Sequence, residues 1–334
     1  MCSSSQTHSI SVCIITTSRR IPFFLHYCLK SLIQQISFPH QLIIIINGEI
    51  NEEEIIALKA YIKTLATQGV RVKIIAIHPL APVGFCRKLA VEFSDHEYIA
   101  FVDDDVILEK NWLNNIISSL TYKPDIVGGR VEILCQRFWE PLIKKHPFFT
   151  EYVFVKNYLL MRFHGKLSNN IYLVSGIRGL WTNNLTIRRD FLRKIGNFRS
   201  LLGYLEDDVG GEDTELKHRA IRNNAKILYN HSAIVYHRVT PSRLSIRYCF
   251  RRAWAHGPFY AITISLSSII KGIIYNSLTT IWYIIIDRNK EGFLSFARTL
   301  TLLSALLHCR RTSRFLDRRI ERLKQVRYEV IDHI

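Results

Sequence analysis

The stretch that decides the fold is Tyr98-Ile99-Ala100-Phe101-Val102-Asp103-Asp104-Asp105, an unbroken apolar run that ends in three carboxylates. Five apolar side chains in a row, without polar alternation, suit a strand buried on both faces of a helix-covered parallel sheet. Three similar runs precede it at Ile10–Ile15, Leu42–Ile46 and Val72–Ile77. Between and after the runs, Pro22–Gln35, Glu52–Thr67, Gly84–Phe93 and Asn111–Leu120 read as helices. This alternation predicts an α/β sheet with a mostly parallel centre. Ligands of such sheets bind beyond the carboxyl ends of the strands, which is where the three aspartates fall.

Adjacent carboxylates repel one another unless a cation is shared between them. A hard divalent ion, Mg²⁺ or Mn²⁺, takes carboxylate oxygen and then bridges phosphate oxygens of a substrate. A solvated acidic turn ahead of the helix at Asn111 is the plainer alternative, and the run by itself leaves both open.

Beyond Gly128 the pattern becomes mixed. Strands are expected at Ile126–Val131, Leu185–Ile187, Ile227–Leu228 and Ala233–Tyr236, and a helix from Glu212 or Asp213. Gly210-Gly211 lets the backbone turn ahead of Glu212-Asp213-Thr214, so both carboxylates fall in a first helical turn. The macrodipole favours ionised carboxylates there. Such a group serves as a base or simply caps the helix. A neighbouring acidic set, Glu206-Asp207-Asp208, lacks that setting and reads as loop. His237 closes the strand Ala233–Tyr236, and its imidazole would complete a carboxylate metal site.

Composition narrows the classes further. The chain has 334 residues, 48% hydrophobic and 22% charged, with 15 Gly and 9 Pro, which excludes disordered and low-complexity chains. Seven cysteines, with no Cys-x-x-Cys, read as buried reduced thiols of a cytoplasmic protein. The N-terminal residues show no basic region ahead of an apolar stretch, so no cleaved signal peptide is expected. Lys and Arg number 45 against 28 Asp and Glu, a net charge of +17. Residues 241–334 hold 16 of those bases and 6 of the acids. An excess of this kind suggests an anionic partner.

The tail also carries two apolar segments, Phe259–Ile286 and Phe293–Leu307, each marginal for a membrane span of about 20 residues. Arg243, Arg247, Arg251 and Arg252 precede the pair. Arg310, Arg311, Arg314, Arg318, Arg319, Arg322, Lys324 and Arg327 follow it. Basic flanks prefer the cytoplasmic side, so bases at both outer ends fit helices that dip in and return or lie in the interface. Residues 243–328 are therefore expected to hold the protein at the cytoplasmic face of a membrane, as a peripheral or integral protein. Packing of the apolar pair on protein is the alternative.

Read in order, "SVCIITTSRR…CLKSL", "LIIIINGE", "VGFCRKLAV", "YIAFVDDDV", "NNLTIRR", "GGEDTEL" and "AIVYH" resemble the family 2 glycosyltransferases over residues 9–240. The resemblance implies a GT-A fold and transfer of a sugar, with inversion, from a nucleotide-sugar donor to an acceptor hydroxyl. Residues 9–127 would form the nucleotide-sugar-binding half, 128–240 the acceptor-binding half and 241–334 a basic, apolar helical tail. Polysaccharide, glycolipid or cell-envelope glycan synthesis is the expected setting, with a glycan or lipid-linked acceptor.

Carried over residue by residue, the resemblance puts Thr17 near the base or ribose and Arg87 at the nucleotide. It makes Asp105 the direct metal ligand and Asp103, nearer the ribose, the other metal-side end of the Asp-x-Asp motif, with Asp103 and Asp104 also on the donor side. Asn184 falls near the donor sugar or acceptor, and Asp213 is the general base with Glu212 beside it. His237 is a further metal or diphosphate contact. Two positions depart from the family pattern. Ile46 stands where an acidic residue often follows the second strand, and Lys88 stands where Asn often follows the arginine. A nucleotidyltransferase of related fold would need a Gly-rich basic loop where this chain has "TTSRRIPFF". A nucleic-acid binder would interleave its bases with aromatics, and no nucleic-acid partner is expected. A catalytically silent membrane scaffold is the third rival.

Overall fold

The computed structural model describes residues 9–134, 161–175, 179–205, 210–239, 245–286, 289–309 and 312–333. Cys2, Cys135, Glu206-Asp207-Asp208, Arg243, Arg310 and Arg311 lie outside the described residues.

The four apolar runs are strands β1 (Ile10–Thr16), β2 (Gln41–Asn47), β3 (Arg71–His78) and β4 (Tyr98–Asp103). They lie parallel in the order β3-β2-β1-β4, with Ile14 opposite both Ile44 and Val102. Every residue of β2 is buried. The pleat sends Leu42, Ile44 and Ile46 into one core layer and Ile43 and Ile45 into the other, which is why the strand shows no polar alternation.

Helices α1 (Glu52–Ala66), α2 (Val83–Phe93) and α3 (Trp112–Leu120) connect and cover this half. α1 starts where Asn51 and Glu54 form a reciprocal capping box that satisfies two orphan N–H groups. The helix expected at Pro22–Gln35 consists of three consecutive pieces, Ile21–Phe23, a π-helical Phe24–Leu29 and Lys30–Ile33. The π piece turns Phe24, Leu25, Cys28 and Leu29 all inward. α2 begins against the loop before Tyr204: Val83 N–H donates to the Tyr204 carbonyl and Gly84 N–H to that of Leu202. A Cβ at Gly84 would stand 2.3 Å from the Arg199 carbonyl oxygen, so only glycine allows this approach.

The second half of the sheet is mixed. Strands β5 (Val106–Leu108), β6 (Ile126–Ile133), β7 (Arg162–Lys166), β8 (Ile171–Ser175), β9 (Asn184–Arg188) and β10 (Ile227–His237) extend it from β4 in the order β9-β6-β10-β8-β7, with β5 against β10. Parallel pairing is confined to β3-β2-β1-β4 and to β6-β10; the other described pairs are antiparallel. The two short strands expected around 227–236 are one strand with a register shift between Asn230 and Ile234. At the shift Asn230 donates to the Asn115 carbonyl and Ser119 Oγ, so the polar residues that hide the strand's continuity are spent on bridging it to α3. Helices α4 (Arg189–Lys194) and α5 (Glu212–Arg222) lie in this half.

The tail folds as α6 (Ile246–Ala255), α7 (Gly257–Thr263), α8 (Leu266–Ile285), α9 (Asn289–Cys309), α10 (Thr312–Gln325) and strand β11 (Arg327–His333). The segment Phe259–Ile286 is broken in two, because Ser265 caps α8 by accepting from Ser268 N–H. α8 packs on α9, with Gly272 against Leu302. Among the described residues no helix is long and apolar enough to cross a membrane.

Two of the eight bases expected to face a leaflet turn into the protein instead. Arg319 is buried and donates to the carbonyls of Leu201 (2.6 Å) and Gly203 (3.0 Å), and Arg322 Nε donates to that of Leu80 (3.1 Å). β11 then pairs antiparallel with β3, so the sheet takes in residues well past 240. Cys13, Cys28, Cys86 and Cys249 are buried free thiols, as expected, and burial pushes the Cys13 thiol up to about 12.

Candidate active site

The carboxyl ends of β1 and β4 and the start of α5 open into one cavity of about 850 Å³. β4 ends at Asp103, and the turn that follows carries Asp104 and Asp105. Asp104 is buried, accepting from Thr16 Oγ1 at 2.8 Å and from Arg20 at 2.5 Å. Arg20 also reaches Asp105 Oδ2 at 3.2 Å. Burial raises the Asp104 carboxyl to about 7 against the pull of Arg20.

β10 pairs with β5 so that His237 lies opposite Val106, which brings its Nε2 to 3.4 Å from Asp105 Oδ1. Among the described residues no group of three or more His, Cys, Asp or Glu is gathered to hold a metal on its own. Asp105 Oδ1 and His237 Nε2 are nevertheless a carboxylate oxygen and an imidazole nitrogen side by side on the cavity wall. That donor set suits Mn²⁺ or Mg²⁺ once phosphate and water oxygens fill the rest.

The second acidic cluster opens α5. Gly211 is its N-cap with φ +102°, and a Cβ there would stand 2.4 Å from the Phe259 ring of α7, so both conformation and space require glycine. Asp213 takes Thr214 N–H at 2.7 Å and meets Lys217 Nζ at 3.1 Å, one turn along the helix. Lys217 is buried, donates also to the Leu180 carbonyl and lies 4.9 Å from the Trp181 ring centroid. Burial would raise Asp213, but Lys217 and Arg87 outweigh it and hold the group below the usual carboxylate range. Glu212 is raised, because burial there outweighs its pairing with Arg87. Its Oε2 has no hydrogen-bond partner among the described residues.

Arg87 joins the two clusters. From α2 it donates to Glu212 Oε1 and lies 3.5 Å from Asp103 Oδ1. Thr17, Arg87, Asp103, Asp104, Asp105, Glu212, Asp213 and His237 all line the cavity. Asn184 does not. Its Oδ1 accepts from Trp112 Nε1 and its Nδ2 donates to the carbonyls of Arg130 and Ala233, so this amide knits β6 and β10 inside the sheet. Its neighbour Asn183 lines the cavity instead, with a buried Oδ1 that has no hydrogen-bond partner among the described residues. Asn183 ends the turn before β9 and Asn184 is the strand's first residue, so a shift of one position changes the assignment.

Sequence reasoning also misses Arg20, Lys217 and the tail residues Tyr248, Arg251, Arg252 and Arg298 of the cavity wall. Arg20 was findable as the cation needed beside three aspartates, and Lys217 as the i+4 partner of Asp213. Nothing in the sequence brings the tail to this cavity. Asn47, next to the departing position Ile46, donates to the Ala81 carbonyl and accepts from Ala81 N–H, tying β2 to the loop before α2.

This architecture is the GT-A fold. The chain superimposes on GalNAc-T7, crystallised with UDP, GalNAc and Mn²⁺, with a TM-score of 0.52 at 12% identity, covering 77% of this chain and 51% of that one. It superimposes on S. aureus TarS 1–349, in complex with UDP, with a TM-score of 0.50 at 14% identity, covering 92% and 91%. The chain thus spans about half the length of the first and nine-tenths of the second. No curated protein sequence matches it. Residues 11–196, more than half of the chain, match Glycosyl transferase family 2, and the chain belongs to that family.

Proposed function

We propose that the protein transfers a sugar from a nucleoside-diphosphate donor to an acceptor hydroxyl in one displacement, with inversion at the anomeric carbon. The observation that carries this reading is one cavity lined by two acidic clusters, one beside Arg20 and His237, the other at a helix N-terminus. A single displacement needs a base at one end of the sugar and positive charge at the other.

Asp213 is the base. Ionised by Lys217 and the start of α5, it takes the acceptor's proton as the hydroxyl attacks. Glu212 beside it is engaged through Oε1 with Arg87, while Asp213 is the carboxylate of the two whose ionised form is favoured. Thr17 and Asp103 border the nucleoside, and Asn183 offers its carbonyl oxygen to the sugar. Arg20 and, when bound, a divalent ion would share the acid-rich turn. Asp105 and His237 would hold that ion, which when bound supplies positive charge to the departing diphosphate. GalNAc-T7 with UDP and Mn²⁺ and TarS with UDP give the fold a precedent for this pair of ligands.

The protein works at the cytoplasmic face of a membrane in this reading, held by α8. Its outer surface exposes Ile274 (56%), Leu278 (62%), Ile281 (56%) and Ile285 (71%), with Tyr275 and Trp282 beside them. These spacings form one apolar face on a helix about 30 Å long. Arg247 and Trp254 are exposed on α6 at i and i+7, which suits an anionic bilayer surface.

The decisive experiment is a donor screen across UDP-, GDP- and dTDP-sugars with and without Mn²⁺, with the anomeric configuration of the product determined. Retention of configuration, or no donor cleaved under any condition, would overturn the reading. Membrane attachment is read by sedimentation with anionic vesicles. The wild type should pellet at low salt, and the triple variant Ile274→Ser, Leu278→Ser, Ile281→Ser should not. A wild type that stays in the supernatant removes this part.

A further inference from the structure

The cavity has a second set of charges that the displacement does not use. Arg251 and Arg252 of α6 and Arg298 of α9 line it, while none of its lining residues from the tail is acidic. Arg252 stacks over the Tyr204 ring at 5.0 Å and feels the charge of Asp213, which puts this wall on the side of the base. Arg20, by contrast, is engaged with Asp104 and Asp105 on the donor side. His256, which lines the same wall, is kept neutral by burial, so the guanidinium groups supply the charge there. The α8–α9 pair that contributes Asn276, Arg298 and Thr301 to the cavity exposes Ile274, Tyr275 and Leu278 on its other surfaces. An apolar surface thus lies on the same helix pair that carries Arg298.

We infer that the tail wall of the cavity binds the phosphate of an acceptor carried on a long apolar chain, with Arg251 and Arg298 as its anion contacts. The inference rests on the transfer reading above, since it names the acceptor for the same site. Guanidinium groups match phosphate oxygens in planar, two-pronged geometry, and a charged head beside an apolar surface selects an amphiphile over a free anion. The acceptor hydroxyl, on the phosphate itself or on a sugar attached to it, would then lie beside Asp213.

The test uses the full chain and three probes: farnesyl phosphate, farnesol and inorganic phosphate, each titrated calorimetrically, with UDP plus Mn²⁺ titrated in parallel. Farnesyl phosphate should bind at least about tenfold more tightly than either fragment. Arg251→Gln and Arg298→Gln should each weaken it about tenfold while leaving UDP binding unchanged. Both side chains are exposed, so neither variant should disturb the fold, and Arg298→Lys should recover part of the affinity. Farnesol binding as tightly as its phosphate would overturn the inference, as would inorganic phosphate binding equally well. Loss of UDP binding in the variants would assign the arginines to the donor and also overturn it. If the wild type bound no nucleoside diphosphate and cleaved no donor, the transfer reading would fail. If UDP bound and farnesyl phosphate did not, only the present inference would fall.

Discussion

Arg87 and Glu212, 125 positions apart in the chain, form a buried ion pair that fastens α2 to the first turn of α5. Both groups are buried, so the pair costs desolvation that their mutual contact, with Asp103 also near Arg87, must offset. It also fixes where Asp213 begins its helix relative to the aspartates after β4.

Removing one partner should therefore be worse than removing both. Arg87→Met leaves Glu212 buried without its cation and should cost about 3–5 kcal/mol. The double variant Arg87→Met, Glu212→Gln should recover a large part of that loss. Urea unfolding followed by circular dichroism checks both, and equal losses in the single and double variants would contradict the pairing.

The base assignment has its own test. Asp213→Asn should lower transfer by about 10²–10⁴-fold, because the amide cannot accept the acceptor's proton. UDP affinity should stay near that of the wild type. If turnover persists, Glu206 and Asp207 are the next carboxylates to substitute.

Lys217 should set the acid limit of the reaction. Asp213 is held below the usual carboxylate range by Lys217 and Arg87, so its ionised form persists as pH falls until that depressed value is crossed. Lys217→Met removes one lowering influence and leaves burial to raise the group. The acid limb of kcat against pH should move to higher pH. The same sign holds for stability: the contribution of a depressed carboxylate is present above its unfolded value and is lost as pH falls through the folded one. An acid limb unmoved by Lys217→Met would mean that Asp213 does not govern it.

Metal dependence should follow Asp105 and His237. EDTA should abolish transfer by the wild type, and Asp105→Ala should lose the Mn²⁺ enhancement of UDP binding. His237→Ala should need more Mn²⁺ for half-maximal activity. Full turnover in EDTA would leave Arg20 and its neighbours as the only charges on the diphosphate.

What was legible in the sequence was whatever depends on local pattern. β1 to β4 announce themselves because burial on both faces permits no polar residue, and the cluster at Gly211–Asp213 announces itself by composition. β10 was read as two strands because Asn230 and Ser232 sit at its irregularity, where side-chain hydrogen bonds replace sheet pairing. β7 went unread: Arg162–Lys166 is exposed throughout and carries no apolar signal. Asn183 ends a turn and Asn184 opens β9, a difference of one position that composition cannot separate. The tail's contribution to the cavity depends on α7 meeting Gly211 across 48 residues of chain, from Gly211 to Phe259, and no local pattern records such a contact.

The pairing of β11 with β3 bears on the order in which the protein is made. β3 is complete by His78, yet its outer edge finds its partner only when residues 327–333 emerge from the ribosome. At a synthesis rate of about 5–20 residues per second, that edge stays open for ten seconds or more. Val72, Ile74, Ile75 and Ile77 then lie on a strand with unpaired backbone groups, a ready template for a neighbouring nascent chain. Slower elongation through α8 and α9 would lengthen this interval.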